Sequence, residues 1–230
     1  MEHNTQQDTW KHLAGEAAVN LIEDGMVLGL GTGTTATQMI YALGRRIQEG
    51  LRITGAVATS QVSEELARKL GIPLTDLDTH PVLDLAIDGT DEIDGQLRLI
   101  KGGGGALLRE KVVATVARRF IVIGDTTKQV TQLGRNAPLP VEAVPFAATP
   151  VSKRLEALGA SVRLRRSGDS VFFTENCNVI LDCFFAGGIA DPTDLDAQIR
   201  SIIGVVEIGL FLNMAERAFI GGPEGVKVLL

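Results

Sequence analysis

Cysteine is scarce in this chain. Its 230 residues include only Cys177 and Cys183, too few for a disulfide framework. Their even spacing would place both on one face of a strand, too far apart along it to be bridged. A reduced compartment, the cytoplasm, is the expected setting. Histidine is nearly as sparse. His3, His12 and His80 are scattered and no Cys/His spacing suits zinc, so neither a metal nor a cofactor is expected. No apolar run reaches the roughly 18 residues of a membrane span. The apolar segment 202–212 is interrupted by Glu207 and two glycines. The first eight residues are polar and lack the apolar centre of a signal peptide. Positive charge is short as well: 22 Lys and Arg stand against 28 Asp and Glu, a formal net charge of −6. There is no basic stripe, so nucleic acid is not an expected partner. An anionic ligand must then be drawn in by a few local lysines and backbone amides.

What is present is ample apolar material, 45% of the residues, enough for one larger or two smaller cores. Trp10, Leu13, Ala14, Ala17, Ala18, Leu21 and Ile22 recur at helical spacing, with Asp8 or Thr9 as the expected cap. Beyond them, strand patterns at 26–30, 53–58, 83–87 and 120–123 alternate with helical patterns at 34–47, 61–70 and 106–119. Gly71 is the stop of the second of these helices. Such alternation with short connections predicts a parallel sheet covered on both faces. The pattern changes after Gly134. Pro138, Pro140, Pro145 and Pro150 punctuate the next stretch. A helix at 151–158, β-like segments at 161–164, 171–174 and 178–184, a helix at 193–202 and a strand at 205–208 follow. The order is ferredoxin-like. The expected architecture is a Rossmann-like, three-layer α/β domain (1–133 and 209–230) carrying an inserted, smaller ferredoxin-like α+β domain (134–208).

Three segments carry chemistry. In Gly29-Leu-Gly31-Thr32-Gly33-Thr34-Thr35-Ala36 a strand runs into a helix. Free amides at a helix N-terminus, together with threonine hydroxyls, make a phosphate site. The loop is not a Walker loop, since Thr34 rather than lysine follows Gly33. It is not a dinucleotide fingerprint either, because Thr34 stands where a third glycine is needed. The second segment, Asp88-Gly89-Thr90-Asp91-Glu92-Ile-Asp94, ends a strand with a cluster of carboxylates. Thirteen residues after Asp88 comes the third, Lys101-Gly102-Gly103-Gly104-Gly105-Ala-Leu-Leu-Arg-Glu110-Lys111. Four consecutive glycines open the backbone to close approach by a ligand. Glu110 falls in the first turns of the following helix, where its charge suits the helix N-terminus. Each motif alone also reads as an ordinary solvated turn, flexible loop or surface glutamate. Their concentration favours proton transfer on a small anionic substrate.

In this order and spacing the three segments resemble the ribose-5-phosphate isomerase type A family. The resemblance continues through Lys128-Gln-Val, Pro138-Leu-Pro-Val-Glu142, Asn178-Val-Ile-Leu-Asp182, Gly204-Val-Val-Glu-Ile-Gly-Leu-Phe211 and Gly225-Val-Lys227, nearly the whole chain. It implies metal-free interconversion of ribose 5-phosphate and ribulose 5-phosphate in the non-oxidative pentose phosphate pathway. It also implies a homodimer whose ligand is a small sugar phosphate. By the same resemblance Glu110 is the base, Lys101 and the adjacent glycine amides stabilise the oxyanion, and Asp88 moves protons between oxygens. Thr32, Gly33, Thr34, Thr35, Asp88, Gly89, Thr90, Asp91, Lys101, Gly102, Gly103, Gly104 and Lys128 bind substrate. Lys11 is open to two readings, a charge near the phosphate and a solvated helix lysine. Leu108 departs from the pattern, standing where a threonine is common, and so does Cys177, standing where a glycine is common. A sugar-phosphate sensor would need the phosphate loop but no base. An amino-sugar-phosphate deaminase would lean on histidine, and these motifs contain none.

Overall fold

The alternation expected from sequence is what the computed structural model, which describes residues 2–230, contains. Helix α1 (Glu2–Val19) precedes β1 (Val27–Leu30), α2 (Thr34–Gln48), β2 (Gly55–Ala58), α3 (Gln61–Lys69) and β3 (Leu85–Gly89). Two short strands, β4 (Glu92–Ile93) and β5 (Leu99–Ile100), come before α4 (Leu107–Val116) and β6 (Phe120–Asp125). Then follow β7 (Leu139–Ala143), α5 (Ala148–Ala157), β8 (Ala160–Leu164), β9 (Arg166–Ser167), β10 (Ser170–Val171) and β11 (Val179–Phe185). The chain closes with α6 (Pro192–Arg200), β12 (Val205–Ile208), β13 (Leu210–Phe211), β14 (Arg217–Gly222) and β15 (Gly225–Leu229). Helix α1 starts well before Asp8 and Thr9, so neither caps it. Asp8 instead accepts a bond from Lys11, one turn on.

Two compact units make up the chain: Met1–Thr90, Arg109–Lys128 and Met214–Leu230 in one, Asp91–Leu108 and Gln129–Asn213 in the other. These boundaries differ from those expected from sequence, in that 91–108, 129–133 and 209–213 fall in the smaller unit. Strand pairing is the reason. β5 pairs with both β4 and β13, and Ile100 lies in the same apolar core as Val141 and Ile208.

The larger unit holds a six-stranded sheet in the order β15-β14-β6-β3-β1-β2. All neighbours are parallel except the edge pair β14/β15. Leu28 and Leu30 join residues of α1, α2 and α3 in one core. Between them Gly29 faces the other side, and a Cβ there would lie 2.4 Å from Val113 of α4. Helices therefore cover both faces, which is why the strands read as continuous apolar runs. Arg46, in the last turn of α2, donates to the carbonyls of Val19 and Ile22 (2.6 and 3.0 Å) and closes the end of α1. At the start of β14, hydrogen bonds from Arg119 hold the Glu216 carboxyl below its ordinary range.

The smaller unit is built on a four-stranded antiparallel sheet, β12-β7-β11-β8. Numbered within the unit this is the 4-1-3-2 order of a β-α-β-β-α-β fold. Its first strand, β7, is the one that the prolines hid. Leu139, Val141 and Ala143 alternate into the core with residues of α5 and α6. Pro140 gives up a donor but keeps its carbonyl, which accepts from Gly209 N at 2.8 Å. The expected strand at 171–174 is shorter, β10 pairing only with β9. From Gly209 onward the chain reaches the large sheet only at β14, since β13 pairs with β5.

Both cysteines are free, but they do not share a strand. Cys183 is buried in β11, and that burial pushes its thiol up to about 12. Cys177 is exposed, ahead of the strand, at φ 60°. It closes a turn in which its N–H donates to Thr174 O at 2.9 Å. Fully buried Glu142 anchors this turn, its Oε1 accepting from Thr174 Oγ1 and Asn178 Nδ2, each at 2.9 Å. A left-handed backbone costs a residue with a Cβ roughly 1–2 kcal/mol. Glycine avoids that cost and loses about 0.5–1 kcal/mol of it back as chain entropy. Cys177→Gly should therefore raise the melting temperature by about 1–3 °C. Calorimetry that finds the variant melting earlier than the parent would contradict the strain at this position.

Candidate active site

In the parallel part of the large sheet the strands run β2-β1-β3-β6-β14, so chain connections depart in opposite directions from β1 and β3. The carboxyl ends of such a pair form the crevice where open α/β sheets bind ligands. Gly31–Thr35 leave β1 there, and Asp88–Thr90 close β3. The two loops are joined through one buried carboxylate. Asp88 is 3% exposed, and its Oδ1 accepts from Thr32 N (3.0 Å) and Gly89 N (2.7 Å). Gly31 makes the approach possible. A Cβ there would lie 2.0 Å from Asp88 Oδ1. The Gly31 N–H donates to Ile87 O at 3.0 Å.

The threonines of the loop divide their work. Thr32 turns inward, its hydroxyl 2.7 Å from Thr59 Oγ1 and 2.8 Å from Ser60 Oγ. Ser63 extends the network by donating to Gly31 O at 2.7 Å. Thr32 is thus engaged through both its amide and its hydroxyl in bracing the loop. Gly33 (φ 106°) and Thr34 are exposed at the start of α2, whose N-terminus has no side-chain cap. Thr35 is buried beside Gly89. Here the amides and the positive end of the helix dipole are available to an anion. Lys128 follows β6 at the same end of the sheet, in the helical turn Thr126–Lys128, where Thr127 N donates to Asp125, the last residue of β6, at 2.9 Å. Lys11 is 13% exposed and lies 3.4 Å from Asp8, so it is neither freely solvated nor uncommitted. Glu110, in the first turn of α4, is 5% exposed. A surface glutamate is excluded.

The smaller unit carries the other sequence candidates. Lys101 is 2% exposed. Its backbone N–H donates to Gly209 O (2.9 Å), and its ammonium lies 5.5 Å from the centre of the Phe211 ring. Asp91 Oδ2 accepts from Gly103 N at 2.7 Å, tying the acidic segment to the glycine run. The remaining carboxylates of that segment are structural. Glu92 accepts from Gly134 N, Asn136 N and Ala137 N (2.6, 2.6 and 2.8 Å). Asp94 closes the turn between β4 and β5 by accepting from Gln96 N and Arg98 N (2.9 and 3.0 Å). Two residues without an expected role also touch the glycine run or brace what does: Arg165, which bonds the carbonyls of Gly102 and Gly103, and its partner Asp182. Asp182 lies in a quoted motif. Arg165 is one of four arginines between 163 and 200, and nothing in the sequence singles it out.

A doubly wound α/β enzyme with uncapped helix amides and the buried Asp88 carboxylate at its topological switch point, and no helix long and apolar enough to cross a membrane among the described residues, is the class that fold and site define. Residues 55–225 match the family described as ribose 5-phosphate isomerase A (phosphoriboisomerase A). A ribose-5-phosphate isomerase A of Roseiflexus sp. (strain RS-1) is 54% identical over 223 residues, 96% of this chain and 95% of the relative. One from Bacillus mycoides (strain KBAB4) is 49% identical, covering 94% and 97%. The solved ribose 5-phosphate isomerase A of Neisseria gonorrhoeae superposes with a TM-score of 0.90 at 40% identity, covering 97% of this chain and 96% of that one. A D-ribose-5-phosphate isomerase solved in complex with phospho-erythronic acid gives 0.93 at 38% identity, covering 96% and 97%. The chain belongs to the ribose 5-phosphate isomerase A family, and it is an isomerase.

Gly31→Ala should disrupt the cradle. The new methyl group would overlap both the Asp88 carboxylate and its Cα, 2.6 Å away. Overpacking of this kind costs about 1–3 kcal/mol. The melting temperature should fall, and so should turnover measured well below the melt. A variant with parent-like stability and turnover would refute the close approach.

Proposed function

We propose that the protein interconverts D-ribose 5-phosphate and D-ribulose 5-phosphate through an enediolate, with Glu110 as the base. The observation that carries this reading is the near-complete burial of Glu110 at the start of the helix that follows the glycine run. Charged groups are expensive to bury, and a carboxylate that must accept a carbon-bound proton benefits from shelter. In the forward direction Glu110 removes the proton from C2 of the open-chain aldose. The electron pair moves to the C1–C2 bond, and the carbonyl oxygen takes the negative charge. Glu110 returns the proton to C1, and Asp88 transfers a proton between O1 and O2. Lys101 and the amides of Gly102, Gly103 and Gly104 stabilise the oxyanion, a duty met by donors already aimed at the developing charge. The reading assigns no metal and no cofactor.

Gly33, Thr34 and Thr35 hold the phosphate with Lys128, while Thr32 acts by bracing that loop. Gly89, Thr90 and Asp91 complete the sugar contacts. A relative's complex with phospho-erythronic acid supports the enediolate, since a planar carboxylate presents two oxygens much as an enediolate does. The reaction belongs to the non-oxidative pentose phosphate route, in a reduced cytoplasm. Nucleic acid and membrane are not partners in this reading.

Glu110→Gln keeps the size and hydrogen bonding of the side chain but removes its basicity. Turnover should fall by about 10²–10⁴-fold with ribose 5-phosphate binding retained. In deuterated water the parent should place carbon-bound deuterium at C1 of the ketose or C2 of the aldose during equilibration, and the variant should not. Turnover of the variant within a few-fold of the parent would remove Glu110 from the role.

The homodimer reading is supported by the smaller unit. Phe146 is 98% and Ile203 95% exposed, and the two segments are joined by Val144 N donating to Gly204 O at 3.0 Å. Neighbouring exposed apolar side chains mark interaction surfaces. Sedimentation should show a dimer that Phe146→Glu shifts toward monomer. A monomeric parent at micromolar concentration would refute it.

A further inference from the structure

The glycine run is held by a single guanidinium. Arg165 Nη1 donates to Gly102 O at 2.8 Å and to Gly103 O at 3.1 Å. Gly102 O also accepts from Gly105 N at 3.0 Å. The peptide between Gly102 and Gly103 is therefore fixed at both ends, its carbonyl by Arg165 and its N–H by Asp91. The next peptide, between Gly103 and Gly104, is fixed at its carbonyl. Because a trans peptide is planar, its N–H must point to the opposite side. That N–H belongs to Gly104, which is exposed and, unlike its neighbours Gly103 and Gly105, donates to no backbone or side-chain acceptor among the described residues. Arg165 thereby decides where the Gly104 donor aims.

Arg165 is itself immobilised. Its Nε donates to Asp182 Oδ2 at 2.9 Å and its Nη2 to Asp182 Oδ1, a two-pronged bond between side chains only 13% and 15% exposed. The guanidinium lies 5.8 Å from the centre of the Phe172 ring. That ring occupies the space beside Gly105, where a Cβ would come within 2.5 Å of it. Asp182 and Arg163 pair in register across β11 and β8, so both residues of the clamp belong to or adjoin a paired ladder, and Arg165 N donates to Ile180 O at 2.8 Å. Consecutive glycines lose about 1–2 kcal/mol each in backbone entropy when ordered. A fork of planar donors on a rigid sheet is suited to offset that loss, and an ammonium group, lacking the fork, is not.

We propose that Arg165, held by Asp182, is a positioning residue for the isomerase reaction. It fixes the peptides on either side of Gly103 so that the Gly104 N–H stands ready as a donor to the oxyanion. The proposal rests on the reading above that Lys101 and the glycine amides stabilise that oxyanion. Arg165 touches no reacting atom. Without it the run samples other conformations, and turnover falls with the fraction that remains competent.

Arg165→Lys keeps the charge beside Asp182 but cannot grip that carboxylate with two parallel N–H groups while also reaching the carbonyls of Gly102 and Gly103. The expected result is a kcat about 10–100-fold lower, the range of a misaimed donor, with KM within threefold of the parent. A second variant, Arg165→Met with Asp182→Leu, removes both charges together and leaves no unpaired ion to unfold the protein. It should show the same split and decides the matter if Arg165→Lys melts early. Calorimetric binding supplies a readout apart from turnover. Affinity for phospho-erythronic acid should fall with kcat, while affinity for ribitol 5-phosphate, which has no oxyanion, should hold within threefold. Equal loss of affinity for both ligands would mark a merely structural role and overturn the proposal, as would parent-like kcat in both variants. Lys101→Met, assayed in parallel, separates the two layers. If it costs 100-fold or more while the Arg165 variants match the parent, the Arg165 assignment alone fails. If it leaves turnover and acid binding within threefold, the oxyanion reading fails, and with it the reason for the clamp.

Discussion

The structure depends on the buried carboxylate of Asp88. One oxygen takes the amides of Thr32 and Gly89 and so joins the loops that leave β1 and β3. Those are the two strands between which the connections of the sheet diverge. The bond requires a close approach that only a residue without a Cβ permits at position 31. With the loops joined, the first amides of α2 are held open at the C-terminal edge of the sheet. The inward hydroxyl of Thr32 and the chain through Ser60 and Ser63 stiffen the same loop from behind. A charged group with two amide donors is also an inexpensive buried charge compared with an unsatisfied one.

The acidic segment shows how neighbouring residues of one type separate in duty. Glu92 is spent on three amides of the 134–137 loop and Asp94 on its own turn. Asp91 reaches the glycine run. Strand alternation and turn geometry decide which carboxylate faces where.

Much of this was legible from the sequence. Continuous apolar runs at 26–30 and 120–123 announced buried parallel strands, and the first two motifs marked the loops that follow β1 and β3. Legibility failed where tertiary context overrides local signals. Leu139, Val141 and Ala143 alternate as a strand should, but Pro138 and Pro140 read as punctuation, and only the bond from Gly209 shows how Pro140 is accommodated. Asp8 and Thr9 are good caps, yet α1 runs straight through them, and its core residues Ala14, Ala18 and Val19 all lie further on. The inward turn of Thr32 and the grip of Arg165 are long-range events with no periodic trace. Burial of Glu110 could not be read either, since an acidic first turn is common on surfaces.

The smaller unit is not a contiguous block of the gene. Its core includes Ile100, and its three-stranded sheet is made of β4, β5 and β13. Segment 91–108, which contributes two of those strands, lies between stretches of the larger unit. A recombination event that exchanged only the long stretch from 129 to 213 would import β13 without its hydrogen-bonding partner. Inheritance of this unit as a cassette is therefore disfavoured, and its two segments are expected to change in concert, with the glycine run travelling alongside the sheet that grips it.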